Sequence, residues 1–439
     1  MYTVGMIGLF VLVILVLALP RQQVAIPFLL CVCYMTLGLE TEFGGMHFQA
    51  VRILSIAGFV RVVVRGELKL IRWTKIDTVF VAWLIVSIIT YTILWGTFKG
   101  LLYKSALSLD AVCVYFCFRA VVTELRDVER IFVYTSLIII PLAAIMLYEF
   151  KAKHNIFYVF GGVPEIPDVR DGKMRCQGPF RHPILAGMFG ATVMPFIIWQ
   201  WCRENRNQLV LIISLAASAV ITYVATSSGA LIAVACEIIA FFIWKFRDRL
   251  RVIQWSIVLG LVGLSLVMKA PIWYLLARLS EFTGGGGYHR AYLLDIAFQH
   301  FSQWWLVGTT YTADWFPYQL EIDNNNSDIT NHFLVQGITG GVFTMILFTV
   351  LVVLCFVSVG KSLRSLESAS FRDRFLVWTL GVTLLGHVAA FISVSYFDQI
   401  LVMWYMLQAM IVSVGVSIGS MPPPYLEMDD EPLAMEGTA

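Results

Sequence analysis

Three stretches of this 439-residue chain carry residue types that could bind an anion or move a proton, and each sits beside an apolar run. The first reads Arg175-Cys176-Gln177-Gly178-Pro179-Phe180-Arg181-His182-Pro183. Gly178 and Pro179 suit a turn and Pro183 suits the first position of a helix, which would leave free backbone N–H groups beside two guanidinium forks. Groups of that kind hold phosphate or pyrophosphate. His182 by itself suits a helix cap or an interfacial position as well as a phosphate contact. The second stretch starts at Arg278, passes through Gly284 to Gly287 and reaches Tyr288-His289-Arg290. Leu293, Leu294, Ala297, Phe298 and Phe301 then recur at helical spacing, predicting an amphipathic helix on the membrane surface with Arg290 near its first turn. Arg290 would there serve either a phosphate or a lipid head group. Trp304, Trp305, Tyr311 and Trp315 mark an interface or stack on sugar rings. The third stretch runs from Asn324 to Asn331-His332 and enters a span containing Gln336, Gly337, Gly340 and Gly341. His332 has the side chain suited to proton transfer near neutrality, with structural hydrogen bonding as the other reading. The glycines predict close helix packing.

The elements that position these residues are membrane helices. Apolar residues make up 59% of the chain and charged residues 14%, against roughly 25% charged in a soluble domain, which excludes a water-soluble globule. With 31 basic and 29 acidic side chains, the net charge of +2 gives no general attraction for nucleic acid. Spans are expected at 3–20, 23–38, 76–96, 101–121, 129–150, 183–201, 208–225, 227–244, 252–268, 333–358, 374–394 and 396–418, twelve in all. Residues 48–64 are either a thirteenth span or an amphipathic helix on the cytoplasmic surface, because Arg52, Arg61 and Arg65 interrupt them. No basic leader precedes the first apolar run, so it reads as a retained span. Lys and Arg in the short connections put those connections in the cytoplasm. Loops 151–182 and 269–332 then lie outside, and the acidic, proline-rich tail 421–439 is expected to be disordered and cytoplasmic. The fold class is therefore all-α, a single polytopic domain over residues 1–420. Loop 151–182 breaks the charge rule with six cations against three anions, which suggests either a phosphate site or contact with membrane lipids. The eight cysteines form no CxxC pair and read as apolar fillers. Asp110, Glu237 and His387 are isolated ionisable residues within spans and read as interhelical hydrogen-bonding groups.

At these residues the sequence resembles the O-antigen ligase family, which holds O-antigen ligases, Wzy-type polymerases and related bacterial oligosaccharyltransferases. Arg175-x-x-Gly178-x-Phe180 with His182-Pro183 looks like the family's RxxGxF element. Arg290 with Gly308 looks like its external-loop arginine followed by a glycine. Asn331-His332 with Gly337, Gly340 and Gly341 looks like its HN-type element with a GxxG stretch, in reversed Asn-His order. Asp110, Arg119 and the Arg61 to Glu67 segment resemble a pattern in uncharacterised members. Where members often carry Ser-Arg-Gly between two mid-chain spans, this chain reads Thr226-Ser227-Ser228-Gly229.

The resemblance implies a GT-C-like membrane fold in the bacterial cytoplasmic membrane. A polyprenyl-pyrophosphate-linked glycan would be the donor, and a lipid- or glycan-borne hydroxyl the acceptor. Arg290 and His332 would be catalytic, Arg175, Arg181, Arg278 and His182 would hold the pyrophosphate, and the arginine charge would serve without a metal or cofactor. Ligase and polymerase are not separated by these residues. The competing class is a transporter or flippase for a lipid-linked glycan or a small solute. That reading calls for a charged path or broken helices at mid-membrane.

Overall fold

The computed structural model describes residues 2–43, 46–170, 172–275, 278, 287–315, 321–323, 326–327 and 329–420. Gly284 to Gly286, Asn324, Asn325, Asp328 and the tail 421–439 lie outside the described residues. The chain folds into helices α1 (Tyr2–Ala18), α2 (Ala25–Tyr34), α3 (Ala50–Val64), α4 (Lys75–Trp95), α5 (Phe98–Val121), α6 (Leu125–Ala152) and α7 (Pro183–Gln200). There follow α8 (Gln208–Val224), α9 (Ser228–Ile243), α10 (Leu250–Val267), α11 (Gly287–Gln299), α12 (His332–Ser365), α13 (Phe371–Phe391) and α14 (Ile400–Gly419). Three antiparallel two-stranded hairpins decorate the loops: β1 (Glu40–Phe43) with β2 (Met46–Gln49), β3 (Asp168–Arg170) with β4 (Lys173–Arg175), and β5 (Glu321–Asp323) with β6 (Asn326–Ser327).

Eight helical stretches among the described residues are long and apolar enough to cross a membrane, so the chain is a multi-pass membrane protein. One of these stretches, Ser228 to Val267, takes in both α9 and α10 with a 3-10 segment, Trp244–Arg249, between them, while Thr3–Ala18 and Gln208–Val224 are shorter apolar helices. The region expected as a span at 23–38 is helical only over the ten residues of α2.

Residues 50–64 form α3, which packs along α1. Ala50 at the start of α3 donates its N–H to Leu39 O at 3.0 Å, and the Leu39 side chain lies against Gly5 near the start of α1. At the far end Arg65 donates to Leu17 O at 2.5 Å and to Leu19 O at 3.2 Å, satisfying carbonyls that the C-terminus of α1 leaves free. Helices α1 and α3 therefore lie side by side and parallel. All eight cysteines are free and six are buried.

The glycines before and within α12 serve a different contact from helix-on-helix packing. Gly341 breaks the helix with φ 78° and ψ 170°, a conformation that favours glycine. The segment after α11 docks on the break: Val342 N–H donates to Trp305 O and Thr309 N–H to Ile338 O, both at 2.8 Å. A Cβ on Gly341 would lie 2.1 Å from Leu306 O. Helix α11 likewise buries Leu293, Ile296 and Ala297 against Trp304, Trp315, Leu334 and Ile338. Leu293 and Ala297 of the expected apolar face are covered by protein, whereas Phe298 and Phe301 stay exposed. Trp304 and Trp315 are core residues that donate to Ala297 O and Gln303 Oε1, whereas Trp305 and Tyr311 are exposed.

Candidate functional site: a cationic cluster at the loop-bearing end

The turn from Arg175 to His182 is built by groups that an apolar-run reading overlooks. Glu149, in the last turn of α6, accepts the N–H groups of Gln177 at 3.0 Å and Gly178 at 2.8 Å. Asn155 donates to Gly178 O at 2.8 Å, and Gln399 donates to Pro179 O at 2.9 Å. Gly178 sits at φ +56°, the left-handed region that this tight turn demands. Phe180 is fully buried and packs on Phe189. A carboxylate and an amide hydrogen-bonded to backbone at this density hold the turn rigid. The Glu149 signal was a lone acid at the end of an apolar run.

Hairpin β3–β4 carries Arg175 to the α8–α9 turn. Cys176 N–H donates to Val224 O at 2.9 Å, and the Thr226 hydroxyl donates to Met174 O at 2.7 Å. Thr226 has φ +47°, an outlier for a β-branched residue that these bonds sustain. The next helix, α9, begins there without a side-chain cap on its first N–H groups. Arg290, from α11, donates to the Ser228 hydroxyl at 3.0 Å. An arginine from the distant 269–332 loop thus reaches the turn where the resemblance would have placed an arginine of the turn itself.

Arg170, Arg175, His182 and Arg290 share one neighbourhood. Burial followed by the Arg170 charge holds both Arg175 and Arg290 below the ordinary arginine value. His182 is pushed down to about 4, by burial first and then by the Arg175 charge, so it is neutral near pH 7. Its Nδ1 accepts the Ile184 N–H at 3.1 Å, which makes it the cap of α7. Arg175 is 6% exposed, its Nε has no partner among the described residues, and its ion pair with the exposed Asp168 is long at 3.4 Å. Like charges gathered beside a helix start that lacks a side-chain cap are chemically suited to a phosphate group, since each cation lowers the cost of binding an anion there.

The other residues singled out in the sequence go elsewhere. Arg181 is exposed and pairs with Asp398 at 3.5 Å. Arg278 is exposed. His332 is the first residue of α12, 5% exposed, and its ring packs on Phe348, Phe391 and Tyr396. Its Nδ1 accepts the Tyr396 N–H at 3.0 Å and its Nε2 faces the Gln336 amide at 3.5 Å. Accepting a backbone N–H puts the neutral ring's proton on Nε2, so an acceptor hydroxyl would find a free lone pair on His332 only after Tyr396 releases Nδ1. Asn331 accepts the Leu334 N–H at 3.0 Å and caps the helix.

The connection 392–399 between α13 and α14 meets the α9 start, His182, His332 and Arg181, and no sequence feature beyond its short polar turn announced it. A Cβ on Gly229 of α9 would meet Val394 at 2.7 Å and Ser393 at 3.1 Å. Phe397 stands edge-on to His182, Tyr396 bonds His332, and Asp398 bonds Arg181. The Tyr396 hydroxyl also bonds His387 Nδ1 at 2.8 Å, while His387 Nε2 lies 3.3 Å from Thr192. Asp110 forms a two-pronged pair with Arg52 at 2.9 and 2.7 Å. Asp110 and His387 are therefore partnered groups, not scattered singles, while Glu237 Oε2 is buried without a partner among the described residues. Among the described residues no group of three His, Cys, Asp or Glu side chains is arranged to hold a metal.

No protein-family model and no curated protein matches the chain.

Proposed function

We propose that the chain is a glycan transferase of the O-antigen ligase or polymerase type, acting at the outer face of the bacterial cytoplasmic membrane. The observation that carries this reading is the gathering of Arg170, Arg175 and Arg290 at the open N-terminus of α9. A pyrophosphate fits there. In the transfer, an acceptor hydroxyl oxygen bonds the anomeric carbon and the bond from that carbon to the pyrophosphate oxygen breaks. The bonding electrons leave with the pyrophosphate, and the hydroxyl proton goes to that leaving group or to water. Negative charge grows on the leaving group, and Arg290 and Arg175 stabilise it. His182, neutral at working pH, caps the start of α7 beside Arg175, and His332 acts by holding the 392–399 connection through Tyr396.

We read thirteen passes, counting α1 to α10 and α12 to α14 in a GT-C-like bundle. Arg65, Arg119, Arg130 and Arg372 then lie on the cytoplasmic side with the C-terminus, and both long loops lie outside. A carrier for a lipid-linked glycan is the second reading, drawn from the buried Glu237 inside the bundle, whose Oε2 has no partner among the described residues.

The test is mass spectrometry of polyprenyl-linked glycans in a deletion strain beside the complemented strain. A transferase predicts that lipid-linked glycan accumulates on the outer leaflet, as single repeats for a polymerase or long chains for a ligase. Intermediates trapped on the inner leaflet would overturn the transferase in favour of the carrier.

A further inference from the structure

Where α4, α5 and α12 meet, N–H donors outnumber the acceptors available to them. His332 Nδ1 already accepts the Tyr396 N–H, so the ring's proton is on Nε2, and that N–H faces the Gln336 amide nitrogen at 3.5 Å. The Gln336 oxygen is taken by the Trp83 indole N–H at 3.3 Å. Turning the amide over would give His332 an acceptor and leave Trp83 facing an NH2 group instead. In either orientation three donor side chains share one acceptor oxygen, and all three are buried. An unmatched N–H in such surroundings is costly.

Lys104, in the second turn of α5, adds a further donor and a charge. It lies close enough to His332 for its charge to act on the ring, and its ammonium stands over the Tyr91 ring at 5.6 Å. Among the described residues it has no ion pair and no hydrogen bond. Asp110 and Asp398, the acids nearest this part of α5, are engaged by Arg52 and Arg181. An aromatic face attracts a cation without neutralising it, and a membrane-helix lysine lacking a counter-charge points to a ligand. The partner that all these groups call for is an oxygen that accepts several hydrogen bonds and carries negative charge, as a phosphate oxygen does. A sugar hydroxyl would leave the ammonium charge unmet, and a cation would be repelled. Trp95, Phe98 and Tyr103 stand exposed around the adjoining ends of α4 and α5. Aromatic side chains in that position mark the level of lipid head groups. We propose that Lys104, with the Gln336 amide and His332 Nε2–H behind it, binds the phosphate group of a lipid in the leaflet at the loop-bearing end. This binding does not rest on the transferase reading.

The experiment is native mass spectrometry of the full chain released from detergent micelles, with dioleoyl phosphatidic acid and dioleoylglycerol as probes that differ only in the phosphate. The wild type is expected to retain phosphatidic acid and not the diglyceride. Lys104→Met should weaken retention about tenfold, whereas Lys104→Arg, and Lys99→Met at the exposed rim, should leave it close to the wild-type level. Gln336→Glu supplies an acceptor and a negative charge from within the chain, so retention should fall about tenfold or more while the unfolding temperature holds or rises. Equal retention of the diglyceride, or a folded Lys104→Met protein that retains phosphatidic acid like the wild type, overturns the site. So does an equal loss in Lys99→Met or in Arg290→Ala, which would assign the phosphate to surface charge or to the arginine cluster. Inorganic phosphate is the second probe, read by ³¹P line broadening. Broadening that Lys104→Met abolishes, without retention of phosphatidic acid by the wild type, would replace the lipid by a soluble phosphate compound and overturn the lipid assignment.

Discussion

At the end of the bundle away from the long loops, a buried arginine is engaged by groups that neutralise it. Arg119 donates to both oxygens of Asp77 at 3.0 and 3.3 Å, to Ser413 at 2.8 Å and to Arg72 O at 2.7 Å, and Tyr115 donates to the same carboxylate at 2.8 Å. Nearby, Arg61 pairs with Glu67 at 2.5 Å, and Arg65 covers the last carbonyls of α1. At the loop-bearing end, Arg175 has, among the described residues, one long contact to an exposed aspartate and an orphaned Nε, and Arg290 has a neutral hydroxyl. The lesson is in the partners, since arginine is found at both ends. A buried charge whose partners are all in the chain is structural, and one set beside other cations with its donors unspent is arranged for an anion from outside.

The sharpest break of that comparison is Asp77→Ala. It leaves Arg119 buried without its counter-charge and is expected to cost about 3–5 kcal/mol. Thermal unfolding in detergent reads this, with Asp77→Leu/Arg119→Met recovering most of the loss; a single mutant as stable as wild type would remove the structural half of the contrast. Arg290→Ala and Arg175→Ala should do the reverse. Pyrophosphate binding falls about tenfold or more, equivalent to about 1.4 kcal/mol, while stability holds or rises because a like charge is gone. Titration calorimetry and unfolding on the same samples separate the two, and unfolding without loss of binding capacity would refute the anion site.

A smaller effect sharpens the comparison through pH. The folded value of His182 is about 4, below the ordinary 6.5, so between these the unfolded chain holds a proton that the folded chain does not. Stability contributed by the neutral ring is present above 6.5 and is lost as pH falls through this window. His182→Asn keeps a capping side chain and should flatten that part of the unfolding-temperature profile from pH 7 to 4; an unchanged slope would remove His182 from the cluster's electrostatics. The smallest effect is expected from Arg372→Met, whose ion pair with Glu129 involves a side chain 38% exposed. Pairs of that exposure contribute about 0–1 kcal/mol, so a loss of several kcal/mol in unfolding would show that burial is not what separates the pairs.

Much of the candidate site was legible as residue types. Arg175, Arg290 and His182 stand out because cations beside turn and helix-start signals outside a membrane are unusual. Arg181 carries the same local signal as Arg175 but turns to Asp398, since two residues within one turn point to different sides. Glu149 and Asp398 were hidden because an acid at the end of an apolar run has no local reason to be read as anything but a boundary. Gly341 read as helix packing because a helical pattern continues on both sides of it, and the chain that docks on its break comes from residues 305–309.

What the sequence determined by itself is the class of environment: long apolar runs must be helical in lipid, because every backbone N–H and C=O there has to be satisfied within its own segment. The same one-dimensional pattern carried the loop lengths and the excess of cations in loop 151–182. Only the tertiary structure decided which of those cations meet. Arg170, Arg175 and Arg290 come from two loops more than a hundred residues apart, and Arg52 meets Asp110 across α3 and α5. Such meetings depend on how helices pack and on where the 392–399 connection lies, quantities fixed by side-chain contacts between distant segments and absent from any local pattern.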